Sequence, residues 1–324
     1  MAKICFTSVC TNDSYSYYIP LFVYTIKRAY PNAGVKVFVK GRLKDVPRET
    51  LKLIPYEGWT VKDQCFKDFP DKSSITNSLR FLIDKKEFKG YDYIMIRDID
   101  FLMFPHKVSH ADYFIRRMKR MRVPYYGIRG PYSHPRRYNI NRIGWRRDFT
   151  RIAGGTVVVK NPDWFDKTLR MRGKYRHYLK HNMSDGFDSH KPASYREYDE
   201  VMLYRIMKKS GLKIPRRKNK DILGKSAPKR YRDIHLGDFG KRKHGYKRLV
   251  SRLASENAKE FIKLESDPVW KEIKDRMRKN GKIREIIRRV RRHVKRRLKK
   301  STIRQLRSSS SSGEGTVEKQ LKNA

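Results

Sequence analysis

The sequence predicts an α/β protein in which a mixed, mainly parallel sheet is flanked by helices. The first observation is that residues 4–9 and 35–39 form short apolar runs, the pattern of buried strands. Between them, residues 18–30 carry apolar side chains at helical spacing. Strand, helix and strand within about 40 residues form a βαβ unit, whose strands run parallel with a right-handed crossover. The second observation is an apolar run at 93–96, which predicts another buried strand.

Three further segments extend this alternation of strands and helices. Residues 74–86 have the spacing of a helix that leads into the strand at 93–96. Residues 156–159 form an apolar run after two glycines, which predicts a buried strand. Residues 198–207 open with acidic side chains, which suit the positive end of a helix dipole. We therefore expect one α/β domain over residues 1–250.

The charge of the chain is extreme, with 79 Lys and Arg residues against 33 Asp and Glu and a formal net charge of +46. Basic residues occur along the whole chain rather than in one tail. Such a protein is attracted to polyanions, which include nucleic acid, anionic lipid head groups and phosphorylated glycans. A compositional bias without a specific partner is the alternative explanation.

The cysteines and the N-terminus predict the compartment. Cys5, Cys10 and Cys65 have neither the number nor the spacing of a disulfide framework or a metal site, so we expect reduced thiols. The first residues enter a strand pattern without a secretory signal, and no apolar run approaches the ~20 residues that span a bilayer. We expect a cytoplasmic protein, peripheral on the inner face of a membrane if its basic surface binds lipid.

Two carboxylates end the strand predicted at 93–96. Asp98 and Asp100 are two residues apart in an Asp-x-Asp (DxD) motif, so both side chains point to the same side of an extended chain. Like charges this close raise each other's pKa unless a cation lies between them, and a hard divalent ion prefers oxygen ligands. Open α/β sheets bind ligands at the carboxyl ends of their strands, where this pair would lie. A simple surface turn is the alternative.

Other candidate residues follow the ends of the predicted elements. In the loop after the first strand, Asp13 can accept hydrogen bonds and Tyr15 can stack, as a site for a base and a ribose requires. Arg80 can hold a carboxylate or a phosphate bidentately, or can be simply solvated. Gly154 and Gly155 allow close approach of a ligand or form a β-bulge.

A late segment combines an imidazole, glycines and a lysine within seven residues. His235 is a suitable ligand for ions of the Mn²⁺ class. Gly237 exposes backbone N–H groups, and Lys241 can neutralise a phosphate. These three residues therefore point to the same metal and phosphate chemistry as the Asp-x-Asp pair.

Taken in order, these motifs resemble GT-A nucleotide-sugar glycosyltransferases, most closely family 8, the group of glycogenin and the lipopolysaccharide galactosyltransferases. The resemblance implies a glycosyltransferase domain over residues 1–250, with Mn²⁺ or Mg²⁺ held by Asp98, Asp100 and His235. It implies that Asp199 and Glu200 are catalytic. The nucleotide-sugar-binding residues that it implies are Thr7, Asp13, Tyr15, Arg80, Asp98, Gly154, Gly155, Gly237 and Lys241.

This chain departs from the family pattern in three places. After Lys241 it has Arg242 and Lys243, where the family usually has proline and tryptophan. Ala153 precedes the two glycines where the family usually has asparagine, which affects the expected contact with a sugar hydroxyl. Glu200 stands where the family commonly has glutamine, and a carboxylate there could stabilise a sugar cation, act as nucleophile or serve as base. The resemblance alone favours retention of configuration.

The expected function is transfer of a hexose from a nucleoside-diphosphate sugar, with UDP as the expected nucleotide, to a glycan or lipid-linked acceptor. An anionic acceptor, or one presented on an anionic surface, suits the basic composition. Two alternatives remain open: a glycosyltransferase acting on modified nucleic acid, and a basic nucleic-acid-binding protein without catalysis.

The C-terminal part predicts a basic helical extension over residues 251–307 and a disordered tail over 308–324. Within residues 282–300, a run of Lys and Arg contains Glu285 as its single acid. A narrow apolar stripe on this helix is typical of an interfacial membrane anchor, which would bind an anionic surface. A nucleic-acid-binding helix and a partner coiled coil are the alternatives. The stripe consists of Ile283, Ile286, Ile287, Val290, Val294 and Leu298.

Overall fold

A computed structural model describes residues 2–11, 14–71, 73–106, 109–127, 156–181, 198–212, 233–236, 255–277 and 280–310 of the 324-residue chain. Among these, a six-stranded sheet has the order β3-β2-β1-β4-β7-β6. Its strands are β1 (Ile4–Thr11), β2 (Gly34–Lys40), β3 (Trp59–Cys65), β4 (Tyr93–Arg97), β6 (Tyr125–Gly127) and β7 (Thr156–Lys160). Strands β3, β2, β1 and β4 run parallel to one another, and β7 is antiparallel to both β4 and β6. The predicted mixed, mainly parallel sheet is therefore confirmed.

Two short strands, β5 (Phe101–Leu102) and β8 (Ile234–His235), form a separate antiparallel pair. Short 3₁₀ helices cover Ser14–Tyr18 and Lys85–Phe88. The α-helices are α1 (Ile19–Ala29), α2 (Asp45–Leu51), α3 (Ser73–Leu79), α4 (His110–Met121), α5 (Asp163–Lys180), α6 (Tyr198–Lys209), α7 (Ser255–Ser266), α8 (Pro268–Met277) and α9 (Gly281–Ser310).

Helix α3 ends earlier than the sequence predicts. The pattern predicted a helix to residue 86, but backbone turns at Phe81 and Leu82 follow directly after Leu79. Phe81, Leu82 and Ile83 are consecutive and all buried. These three side chains therefore reach the core from turns that follow the helix, not from the helix itself.

The sheet has a hydrophobic core on each face because successive strand side chains point to opposite sides. In β1, Phe6 and Cys10 belong to one core, whereas Cys5 and Val9 belong to the other. Helices α1, α4 and the three C-terminal helices contribute to the first core, and α3, α5 and α6 contribute to the second. All three cysteines are free, and Cys5 and Cys10 are buried.

The C-terminal helices are part of the first core, and this corrects the interpretation of the apolar stripe as a membrane anchor. Five stripe residues of α9 are at most 4% exposed and pack in the same cluster as the sheet. Leu298 is partly buried against that cluster. These side chains are covered by protein, so they are not available to insert into lipid. Within the described residues, no helix has the length and hydrophobicity needed to cross a bilayer.

Helix α9 also continues to Ser310, three residues past the predicted end of the extension at residue 307. The remaining part of the predicted disordered tail, residues 311–324, lies outside the described residues.

Glu265 joins the three C-terminal helices. Its carboxylate accepts hydrogen bonds from Trp270 Nε1 at 2.9 Å and Arg291 Nε at 2.6 Å, and Lys274 Nζ lies 3.3 Å away. Burial alone would raise the pKa of Glu265, but the hydrogen bonds from Trp270 and Arg291 and the charge of Lys274 outweigh burial and lower the pKa. The ionised carboxylate therefore stabilises the packing of α7, α8 and α9.

We expect Glu265→Gln to lower the free energy of unfolding by about 1.5–3 kcal/mol at pH 7, because the amide removes a charge-assisted hydrogen bond. The folded pKa lies below the unfolded one, so this stabilisation is present above about pH 4.5 and is lost as the pH falls further. Urea unfolding at several pH values measures the difference. Glu272→Gln, in an exposed pair with Arg276, is the control and should change little. If the difference in unfolding free energy between Glu265→Gln and the unmodified protein does not become smaller in acid, the stabilising role of the ionised Glu265 carboxylate is contradicted.

Candidate functional site

The carboxyl ends of β1 and β4 lie side by side, because the two strands are parallel neighbours. Asp98 and Asp100 follow the end of β4, as the sequence predicts. The pairing of β5 with β8 places Phe101 opposite His235 in the strand register. The backbone N–H of Leu236 also donates to the carbonyl of Asp100 at 2.7 Å, and the rings of Phe101 and His235 stack at 4.6 Å. This short strand pair brings a distant imidazole to the end of β4.

Asp98, Asp100 and His235 form a compact group of possible metal ligands. One ligand atom from each residue lies within 4.8 Å of the other two, and His235 Nε2 is 3.0 Å from Asp100 Oδ1. Asp100 is buried, and the other two side chains are half-buried. Ligands about 2.1 Å from one small divalent ion are ~3 Å apart when adjacent, so the spacing fits such an ion. Two carboxylates and an imidazole also match the chemistry of the Mn²⁺ class.

Arg80 bridges two carboxylates at this site. Its Nη1 donates to Asp98 Oδ1, and its Nη2 donates to Asp199 Oδ2 at 2.6 Å. The guanidinium is 6% exposed, so both bonds are shielded from water. The predicted contact of Arg80 with the phosphates or ribose of a donor therefore stays a prediction. What the structure adds is that Arg80 joins the start of α6, where Asp199 lies, to the Asp-x-Asp motif.

The pKa of Asp98 reflects this arrangement. Burial alone would raise the pKa of the Asp98 carboxyl, but the charges of Arg80 and His235 outweigh burial and hold the pKa below its ordinary value. The carboxyl is therefore ionised at neutral pH, which is the form that binds a cation.

Tyr15 lies at the same edge of the sheet. Its side chain is 44% exposed, and its ring centroid is 5.8 Å from that of Tyr18. Tyr18 is buried, and its pKa is raised by burial and by the negative charge of nearby Asp100. Tyr18 is therefore near enough to Asp100 for the carboxylate charge to raise its pKa.

Thr7 lies inside β1. The residue is fully buried, and its hydroxyl donates to the carbonyl of Lys36 at 2.9 Å, so its side chain joins β1 to β2. The contact of Thr7 with a nucleotide sugar stays a prediction.

Several predicted residues cannot be placed. Glu200 belongs to α6, but the position of its side chain lies outside what is described. The other predicted residues outside the described part of the chain are Asp13, Gly154, Gly155, Gly237 and Lys241.

No protein-family model matches the chain, and no curated protein matches it. Among solved structures, it is similar to the galactosyltransferase LgtC in complex with donor and acceptor sugar analogues, at 13% identity and a TM-score of 0.39. That match covers 63% of this chain and 70% of LgtC. It is also similar to the apo form of the glycosyltransferase GlyE of Streptococcus pneumoniae TIGR4, at 11% identity and a TM-score of 0.38, covering 65% of this chain and 44% of GlyE. At this identity and TM-score the likeness assigns neither a family nor an activity.

A buried polar cluster that the sequence did not predict lies beside the possible metal ligands. Arg97 Nη1 donates to Asp233 Oδ2 at 2.8 Å, and His110 Nδ1 is 2.9 Å from the same oxygen. All three side chains are fully buried. The hydroxyl of Tyr30 accepts a hydrogen bond from the backbone N–H of His110 at 3.0 Å. The cluster therefore joins β4, the start of α4 and the start of β8.

Electrostatics within the cluster favour the ion pair of Arg97 and Asp233. Burial alone would raise the pKa of Asp233, but the charges of Arg97 and His110 and the hydrogen bonds from His106 and His110 together outweigh burial, and the pKa falls below its ordinary value. Burial lowers the pKa of His110, despite the opposing effect of Asp233. Arg97 directly precedes Asp98, and Asp233 lies two residues before His235, so the ion pair fixes the two halves of the candidate site to each other.

One sequence signal could have indicated this cluster. Arg97 is a charged residue at the end of an otherwise apolar strand, a position at which burial requires a partner. The sequence does not identify that partner, because Asp233 is separated from Arg97 by 136 residues.

Proposed function

We propose that this protein is a metal-dependent glycosyltransferase of the GT-A type that transfers a hexose from a UDP-sugar to a glycan or lipid-linked acceptor. The observation that carries the proposal is the convergence of Asp98, Asp100 and His235 at the carboxyl end of β4. Ligand sites of open α/β sheets lie at this edge. The exposed ring of Tyr15, in the 3₁₀ helix that follows β1, offers a surface on which the uracil base can stack.

The proposed metal site uses the three ligands that lie together. Asp98, Asp100 and His235 would hold Mn²⁺ or Mg²⁺, which supplies positive charge to the diphosphate leaving group as a Lewis acid. Arg80 keeps Asp98 in place through its bond to the carboxylate. In the proposal, Gly237 and Lys241 contact the diphosphate as well.

The same guanidinium positions the first proposed catalytic residue. One Nη atom of Arg80 donates to Asp98 and the other donates to Asp199. The guanidinium therefore orients the Asp199 carboxylate next to the proposed metal site. A carboxylate there can stabilise the positive charge that develops on the anomeric carbon. Glu200 follows Asp199 in the sequence and is the second proposed catalytic residue, with retention of configuration as the proposed outcome.

The acceptor in this proposal is anionic or is presented on an anionic surface. The exposed side of α9 supports it: Lys282, Arg284 and Arg288 face solvent, while the apolar side of the helix is buried. The basic side of α9 attracts anions by charge alone. It does not require the apolar stripe to insert into lipid.

We expect the purified protein to hydrolyse UDP-glucose or UDP-galactose slowly in the presence of Mn²⁺, and Asp100→Ala to reduce that rate at least ~100-fold, about 2.7 kcal/mol of barrier. The physical reason is loss of a ligand to the ion that stabilises the leaving group. Release of UDP measures the rate, and a thermal-shift screen of nucleotide sugars with and without Mn²⁺ measures binding.

The matched control is Asp166→Ala, an exposed carboxylate on α5 paired with Lys85, which should leave the rate unchanged. If the unmodified protein neither hydrolyses any nucleotide sugar nor binds UDP in a metal-dependent way, the proposal is wrong. A basic nucleic-acid-binding protein, in which the Asp-x-Asp pair is only structural, would then be the better explanation.

A further inference from the structure

The first turn of α9 reaches the candidate nucleotide site. Lys282 Nζ lies 5.8 Å from the ring centroid of Tyr15, within the range of a cation–π contact. Lys282 is exposed, as is Tyr15, so the ammonium and the ring meet at the surface. Tyr15 in turn is next to Tyr18, which senses the charge of Asp100. A residue from the C-terminal helices therefore stands beside the site formed at the ends of β1 and β4.

The backbone of Lys282 is held in place from both sides. Asn280 Oδ1 accepts from the N–H groups of Lys282 and Ile283 at 3.1 Å and 3.3 Å, which caps the start of α9. Ile283 and Ile286 are both buried in the first core. The backbone of Lys282 is therefore fixed, and its ammonium can move only within the length of the side chain. A lysine in a flexible tail would not be restricted in this way.

We propose that Lys282 is a donor-binding residue that the C-terminal helices contribute to the active site, where its ammonium pairs with the diphosphate of the nucleoside diphosphate. This inference rests on the proposed function. A base stacked on Tyr15 carries its diphosphate beyond the ribose, to one side of that ring, where an ammonium on a flexible stem can reach it. A lysine offers three donors and a full positive charge. A cation–π contact at an exposed site is weak, so the ammonium can leave the ring for a more highly charged partner.

This role separates Lys282 from the other basic residues of α9. If the basic face only attracts anions in general, each exposed lysine contributes a similar, small and salt-sensitive amount. If Lys282 contacts the diphosphate, its removal weakens binding far more than removal of an exposed lysine further along the same helix. Lys295 is such a residue: it is exposed and lies about 20 Å further along the helix at 1.5 Å per residue.

The test is a calorimetric titration of UDP into the full-length protein in the presence of Mn²⁺. We expect Lys282→Gln to raise the Kd for UDP about 5- to 20-fold, Lys282→Arg to restore most of the affinity, and Lys295→Gln to change it less than 2-fold. The Kd for uridine, which lacks the diphosphate, should be the same in all variants. Mn²⁺ affinity and melting temperature should also stay unchanged, which separates donor binding from damage to the metal site or the fold.

Two results would overturn the inference while leaving the proposed function intact. One is an unchanged Kd for UDP in Lys282→Gln, and the other is an equal weakening in Lys282→Gln and Lys295→Gln. If the unmodified protein shows no Mn²⁺-dependent binding of UDP at all, the proposed function and this inference are both wrong.

Discussion

Replacing Asp233 by alanine is expected to lower the free energy of unfolding by about 3–5 kcal/mol. Asp233 and Arg97 are both fully buried and share a hydrogen bond of 2.8 Å. Removing the carboxylate leaves the guanidinium in the interior without its counter-charge, and desolvation of an unpaired charge is one of the few mechanisms that produce losses of this size. His110 loses the same hydrogen-bond partner, which adds to the effect.

Urea unfolding at pH 7 measures this loss. The double variant Arg97→Met with Asp233→Leu should recover part of the stability, because replacing both partners by apolar side chains removes the unpaired charge. Glu49→Ala is the control for loss of an ion pair: Glu49 pairs with Lys52 on the exposed surface of α2, and its removal should change stability by less than about 1 kcal/mol. A loss for Asp233→Ala as small as that of the control would show that the buried pair contributes little.

The same substitution should reach the proposed metal site. Arg97 precedes Asp98, and Asp233 lies two residues before His235, so breaking the pair loosens the ligands relative to one another. Outer-shell partners of metal ligands typically contribute 10–100-fold to metal affinity. We therefore expect Asp233→Ala to bind Mn²⁺ more weakly. The affinity is measured without urea, at a temperature at which the variant is still folded.

The elements that the sequence predicts well are those whose signal is local. The bounds of β1, β2 and β4 differ from the prediction by at most two residues, because each strand is an apolar run between polar or turn-forming residues. The observed start of α6 at Tyr198 coincides with the predicted start, because acidic side chains mark the first turn of this helix in the sequence. Since β1 and β4 are parallel neighbours, the prediction that Tyr15 and the Asp-x-Asp pair share one edge also follows from local patterns and the chirality of the crossover.

The features that the sequence does not predict depend on contacts between distant segments. Periodicity identifies the apolar stripe of α9 but does not tell whether protein or lipid covers it, because both are apolar surroundings. The partner of Arg97 could not be named either, since no local pattern links it to Asp233. The contact of Lys282 with Tyr15 belongs to the same class, because it depends on how α9 packs against the rest of the fold.

The second large effect is expected in α9. Val290 is fully buried among the C-terminal helices and belongs to the same cluster as the sheet residues of the first core. Val290→Asp removes an apolar side chain from the core and places a carboxylate there without a partner. We expect the free energy of unfolding to fall by about 4–5 kcal/mol, at the upper end of what single substitutions produce.

Urea unfolding of the full-length protein measures this effect, and Lys295→Asp is the matched control. The control introduces the same carboxylate into the same helix, but at an exposed position, where a change within about 0.5 kcal/mol is expected. If Val290→Asp does not yield folded protein, Ile286→Ala provides a milder test, with an expected loss of about 2–5 kcal/mol from the cavity it leaves.

The pair of variants decides between two uses of one apolar stripe. If the stripe holds the protein together, Val290→Asp lowers stability and Lys295→Asp does not, because only the first faces the core. If the stripe instead inserts into lipid, Val290→Asp leaves the unfolding curve unchanged and removes binding to anionic liposomes. Burial of Val290 and Val294 against the same core as Phe261 and Trp270 predicts the first outcome, in which α9 is a structural helix whose basic side remains free to meet anions.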